Sequence, residues 1–423
     1  MNKFSLVSGS WKAEGSKSVS DVTGLTGSVV GGKAVLYATS SGSSGTSGKL
    51  STVTDGSGAG SAMSGSVTTL ATAASKKAFR GVALAPTDGG TSTTPPTTPP
   101  TTPPTTPPTS PPATDPLKPV AWPGSSSVST ADGSNVFGED LSGLYQEGNV
   151  LWGAQNSGKL WRLVPDGSTG WKPDTSGGWS SGKSLRFPGG SGTPDDEGVT
   201  VTGAGSAGGV FVSSERNNDS SGTSRLSVLR YDVSGTGSTL TATKEWNLTP
   251  DLPSVGSNLG LEGVTWVPDG YLTGAGFKDS ATGAAYNPAG YGSHSGGVFF
   301  VGVEDTGTIY GYVLQDSGAF TRVATVSSGM DGVMELQWEP QASRLWAVCD
   351  DTCDGEHRTL QVNSSGAFTI SATYNRPSGM SDYNNEGFSV SAADACVSGS
   401  KPVYWSDDAD DGGHALRKGS ITC

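Results

Sequence analysis

Charge is scarce in this chain: 15% of its 423 residues are Asp, Glu, Lys or Arg, and the acidic ones outnumber the basic by 39 to 26. The resulting formal net charge of −13 makes nucleic acid and anionic membrane surfaces poor partners and cations better ones. No apolar run approaches the ~20 residues that a membrane-spanning helix needs, so no span is expected. Histidine is reduced to three copies and cysteine to four, with no Cys-x2-Cys pair, which leaves a zinc site short of donors. Long amphipathic helical patterns are missing as well. The start, Met1-Asn2-Lys3-Phe4-Ser5-Leu6, lacks the apolar core of a secretory signal.

What the chain does have is glycine, 64 residues of it, beside Ser, Thr and short apolar runs. With glycine counted, the apolar share is that of an ordinary globular protein. The expectation is an all-β fold. Low lysine content, a Thr/Pro tract and paired cysteines point to a secreted protein whose amino-terminal region, signal included, is not in this chain. A cytoplasmic protein of unusual composition is the alternative. Cys349 with Cys353, and Cys396 with Cys423, are the expected disulfides in an oxidising compartment. The chain is expected to act as a monomer.

Residues 91–116 are nearly pure Thr and Pro, an extended polyproline spacer that could hold two domains apart at ~3.1 Å per residue. Three parts follow: 1–88, a linker over 89–116, and a domain over 117–423. In the first part, Val35–Thr39, Lys49–Val53 and Val67–Leu70 read as strands, and Phe79–Pro86 closes it with Arg80 where later repeats carry Glu. This segment is expected to be the closing end of another propeller unit; a small independent β-domain is the alternative.

The domain over 117–423 is organised by a recurring acidic motif. Asp196-Glu197-Gly198-Val199-Thr200-Val201 returns as Leu261-Glu262-Gly263-Val264-Thr265-Trp266 and as Asn385-Glu386-Gly387-Phe388-Ser389-Val390. Weaker copies start at Asp140 and at Glu335. Each copy leads further apolar runs, up to four strands per unit, as in the antiparallel blades of a β-propeller. Five blades fit, with Val120–Trp122 as the strand that closes the ring. A sixth would fit if the loop from 267 to 297 held extra strands.

In an antiparallel blade the second strand returns beside the first, so its end meets the first strand's start. That places Asp140, Glu197, Glu262, Glu335 and Glu386 at one mouth of the channel. The residues ending the second strands join them: Gln155-Asn156, Glu215-Arg216, Glu304-Asp305, Asp350-Asp351 and Asp407-Asp408. Two acidic rings repel themselves unless a cation intervenes or some carboxylates keep their protons. Hard oxygen donors suit Ca²⁺. The competing reading is that the blade-initial glutamates accept backbone amides at the channel wall, and both can hold at different blades. Catalytic candidates are His294, in a loop that could fold over the mouth, and Arg216. Gly178-Trp179-Ser180-Ser181-Gly182 matches a nucleophile elbow but lacks its strand-to-helix setting.

The segments Asp195–Gly198, Val212–Asn218, Gly260–Gly263 and Asn384–Gly387 resemble those of secreted phytase-like propellers, the group called esterase-like activity of phytase. The domain also looks like the SdiA-regulated propellers, which share the Glu-Gly openings. The resemblance implies several Ca²⁺ ions held by acidic side chains, here Glu197, Glu215, Glu262, Glu304, Glu335 and Glu386 as the metal ligands, and a phosphoester or ester substrate. The chain departs from the phytases in having few basic residues near the rings. Two functions are therefore carried forward. One is a Ca²⁺-dependent hydrolase; the other is a non-catalytic, cation-stabilised propeller binding a small-molecule or polymer ligand at the channel mouth.

Overall fold

The computed structural model describes residues 1–7, 10–30, 33–41, 48–58, 60–74, 79, 81–82, 115–167 and 170–423. The chain divides within the Thr/Pro run into two compact units, Met1–Pro103 and Pro104–Cys423. The spacer itself, Arg80 and most of Phe79–Pro86 lie outside the described residues. In the first unit, Val22–Val30, Lys33–Ser40, Lys49–Asp55 and Thr68–Thr72 form one antiparallel sheet, and Asn2–Val7 pairs with Ser10–Ser16. The hairpin and the Val22–Val30 strand are additions to the sequence expectation. In the latter, Gly24 and Gly27 interrupt the apolar pattern that marks a strand.

The second unit is a five-bladed propeller whose blades are antiparallel, apart from one parallel pair, Lys183–Arg186 with Thr239–Thr241, at the edge of blade 1. The inner strands are Leu141–Glu147, Pro194–Val201, Leu261–Pro268, Glu335–Glu339 and Gly387–Val390. Each packs against the inner strand of the next blade, and the last returns to the first. The ring is closed. The loop from 267 to 297 holds a short helix, Asp269–Gly274, and no strand, so the sixth blade does not arise.

Five apolar clusters sit in the five gaps between adjacent blades. Between blades 2 and 3, for example, Phe211, Val228 and Trp246 meet Val264, Phe299 and Val301. A sheet covered on both faces needs apolar side chains on both, which is why Val298-Phe299-Phe300-Val301 reads as an unbroken run. The gap between blades 4 and 5 is filled by Trp122, Trp346, Trp405 and Phe388. His357 is sealed among them, accepting from Trp405 Nε1 at 2.8 Å. Burial pushes its imidazole down to about 4.

Closure differs from the expectation in one respect. The strand that completes blade 5 is Ser129–Thr130, paired with Arg417 and Lys418. Val120–Trp122 does not serve, because Pro119 and Pro123 on either side remove ladder donors. Val120 makes a single bridge to Tyr374 of blade 4, and Trp122 packs into the gap. Both expected disulfides form, Cys349–Cys353 and Cys396–Cys423. No helix among the described residues is long and apolar enough to cross a membrane.

Candidate metal centre

At the heads of blades 2 and 3 the Glu-Gly pair is a β-bulge, as is the Ser-Gly pair of blade 1. In blade 2 the register runs from Asp196 opposite Ser214 to Val199 opposite Val212, so that Glu197 and Gly198 together face the single residue Ser213. The same slip falls between Leu261 and Val264 in blade 3 and between Leu141 and Leu144 in blade 1. A bulge twists its strand and re-aims a side chain. Here it turns the glutamate toward the channel.

Glycine follows because the heads of neighbouring blades touch. A methyl group at Gly198 would lie 2.6 Å from the Val264 amide nitrogen of the next blade. One at Gly263 would strike Glu335 and Leu336, one at Gly143 would strike Glu197, and one at Gly387 would strike Ser142. Blade 4 has Leu336 in the corresponding place and pairs without a slip. Gly263→Ala is expected to destabilise the protein by about 1–3 kcal/mol through this backbone clash, readable by urea denaturation. An unchanged midpoint would mean the blades have room to part.

The aimed carboxylates form three interlocked groups, each with ligand oxygens within 4.8 Å of one another: Asp195, Glu197 and Glu215; Glu197, Glu262 and Glu386; Glu215, Glu262 and Glu304. Glu197, Glu215 and Glu262 each belong to two groups. The six carboxylates, fully ionised, carry the charge that three divalent cations would balance. Asp195 was not among the expected ligands. It lies within the quoted motif, but alternation alone does not distinguish it from its buried neighbour Asp196.

Burial is the main force on these groups. It raises Glu262 well above the ordinary range, and Glu197, Glu215, Glu386 and Glu304 add to the rise by repulsion. Glu197 and Glu386 are raised for the same reasons, burial first. Burial also lifts Glu215 and Glu304 to about 7. On Glu215 the rise is opposed by hydrogen bonds from Glu262 and from the Gly260 amide. Around this centre, Glu386 Oε2, Asp407 Oδ1 and Asp408 Oδ1 are buried with no protein partner. Asp407 and Asp408 are lifted to about 6, again chiefly by burial. Oxygen-only donors, some unpartnered, with excess negative charge fit a hard divalent cation such as Ca²⁺.

Five of the six expected ligands are in these groups, and Glu335 is not. Its carboxylate accepts the amides of Leu336 at 2.8 Å and Leu144 at 3.0 Å. It thus ties the inner strands of blades 1 and 4 together, and the nearby amides of Phe388 and Val264 also oppose the rise of its pKa. Leu144, Val264 and Phe388 each follow a Glu-Gly or Ser-Gly pair. The wall-capping reading thus applies at Glu335, where the missing glycine marks the difference in sequence.

Arg216 stands beside the centre, with Nε 2.6 Å from Asp195 and Nη1 donating to Ser257 O at 3.0 Å. Arg417, unremarked in the sequence, pairs with Asp407 at 2.6 Å. His294 is placed differently from the expectation. Its Nε2 lies 3.0 Å from Asp269. Asp269 follows the far end of the strand that Leu261 and Glu262 begin, so His294 belongs to the opposite face. The loop that carries it is anchored there by Tyr286 and Tyr291, which donate to Asp269 and Asp279. His414 lies in the loop after the second strand of blade 5, at the mouth face, and is engaged by Asp132 at 3.0 Å.

No family model matches the chain, and no curated protein matches it. Among solved structures, a protein from Bacteroides uniformis assigned as a 6-phosphogluconolactonase is 14% identical, with 98% of this chain and 89% of that one covered and a TM-score of 0.34. One from Bacteroides fragilis with the same assignment is 12% identical, with 98% and 88% covered and a TM-score of 0.32. One assigned as a gluconolactonase is also 12% identical, with 64% and 70% covered and a TM-score of 0.33. Likeness at this level says nothing about the chemistry of the mouth.

Proposed function

We propose that the acidic mouth binds divalent cations, calcium by its donor chemistry, and that the chain is an extracellular hydrolase of phosphoesters or carboxylic esters. The observation that carries this reading is the interlocking of three carboxylate groups through Glu197, Glu215 and Glu262. Asp195, Glu304 and Glu386 would complete the ligand set. Bound calcium supplies a positive centre that attracts an anionic or carbonyl oxygen and acidifies a water molecule. The chain's own residues hold that centre rigidly, since the bulged strands are locked by Ser213, which accepts from Gly198 N at 2.7 Å and donates to Glu262 O. Arg216, 18% exposed beside Asp195, is positioned to contact an anionic group. The quoted resemblance to phytase-like propellers supports the same substrate class.

A second reading, the non-catalytic binding module, is favoured by the histidines. His294 is on the opposite face, His357 is inside the core, and His414 is engaged by Asp132. Turnover decides between them. The full chain should hydrolyse p-nitrophenyl phosphate or p-nitrophenyl acetate in calcium and not in EGTA. Glu262→Gln should lower the rate by at least about 100-fold, as losing a central ligand requires. Calcium binding with no turnover of either ester would make the protein a binding module.

A further inference from the structure

A second pocket lies at the other end of the blades from the acidic mouth. It sits between blades 2 and 3, where the strand ending at Val201 turns back at Val210 and the strand from Thr308 ends at Leu314. Its volume is about 250 Å³. Phe211, Trp246 and Leu314 give it an apolar wall, and Arg230, His294, Ser295 and Asp316 give it polar groups.

The polar groups are not equivalent. Trp246 is fixed by donating Nε1 to Gln315 O at 2.9 Å, and its ring lies nearly parallel to Phe211, centre to centre 6.1 Å. His294 has both ring nitrogens engaged, by Gly292 O at 2.8 Å and Asp269 at 3.0 Å. Asp316 accepts from Ser293 Oγ at 2.5 Å. Two groups are left over. Ser295 Oγ is buried without a hydrogen-bond partner. Arg230 takes part in none of the ion pairs among the described residues, although acidic side chains are in excess over the whole chain. Its guanidinium carbon lies 6.0 Å from the centre of the Phe211 ring.

We infer that this pocket binds a small organic monocarboxylate, its acid group on Arg230 and Ser295 and its body against the Phe211–Trp246–Leu314 wall. A guanidinium fork matches a carboxylate in two parallel hydrogen bonds, and the hydroxyl supplies a third donor. A dianion such as a phosphate monoester suits the pocket less well, because Arg230 is its single lining cation and Asp316 is its neighbour. The volume admits a ligand of roughly ten heavy atoms, at the small end of ligand sites. Nothing in this inference depends on the mouth or on calcium.

Benzoate is a suitable probe, with benzamide as its uncharged counterpart. Saturation-transfer NMR or calorimetry on the full chain in EGTA should show benzoate binding at least about tenfold tighter than benzamide. Arg230→Gln should remove that preference while near-UV circular dichroism stays unchanged, and Ser295→Ala should weaken benzoate by a smaller factor. Glu262→Gln should leave benzoate binding intact, which keeps this test independent of the metal centre. Equal binding of the two probes, benzoate binding that survives Arg230→Gln, or no benzoate binding would each overturn the inference.

Discussion

Glu335→Ala is expected to lower the stability of the propeller by about 3–5 kcal/mol without lowering the number of calcium ions bound. The glutamate is fully buried and its carboxylate accepts the amides of Leu144 in blade 1 and Leu336 in blade 4. Removing it strands those N–H groups where water does not replace it, and each buried unpaired group costs about 1–3 kcal/mol. Burial drives the carboxyl's pKa well above the ordinary range, and the amides pull it back. Glu335→Gln should be intermediate, since its carbonyl keeps one acceptor while its NH2 confronts the others. Urea denaturation gives the stability and calorimetry gives the ion count. A variant of normal stability that binds less calcium would return Glu335 to the ligand set.

The second large effect is a reversal of pH dependence by calcium. In EGTA, burial pushes Glu215 and Glu304 up to about 7 in the folded chain, against an ordinary 4.5, and Asp407 and Asp408 up to about 6, against 3.8. A raised folded pKa means that the folded state holds the proton more tightly. That contribution is complete below the unfolded pKa and is lost as pH rises through the folded one. The melting temperature in EGTA should therefore fall between about pH 4.5 and 7.5. In calcium the slope should reverse, because ions take the deprotonated carboxylates and protons compete with them. Three ions at about 100-fold over their Kd would contribute about 2.7 kcal/mol each, a shift on the order of 10 °C at pH 8. Differential scanning calorimetry reads both curves. Parallel slopes would show that the carboxylates keep their protons and take no ion.

Much of this was legible in the sequence, and the residues show why the rest was not. The Glu-Gly motif marked the inner strands because its glycine answers a contact that every bulged blade makes with its neighbour, as Gly198 does with Val264. The cysteine pairs were close enough in the repeat to be matched. The bulge itself left no separate trace, so the sequence could not say that Asp195 joins the centre while Asp196 turns away. Glu335 had a visible signal, Leu336 in place of glycine, whose meaning requires the register. His294 was misplaced because a loop of thirty-odd residues has no period to fix its end, whereas the structure ties it to Asp269. The closing strand was misread at Val120–Trp122, although Pro119 and Pro123 argued against it. Ser129–Thr130 is too short to announce itself.

Whether the mouth holds calcium is decided by calorimetric titration of the full chain at neutral pH, after dialysis against EGTA. Binding of about three ions is expected, one for each carboxylate group, with protons released on binding and fewer ions bound by Glu262→Gln. A titration with no heat and no proton release, in a chain shown to be folded, would contradict it. The mouth would then be a set of buried, protonated carboxyls bonded to one another.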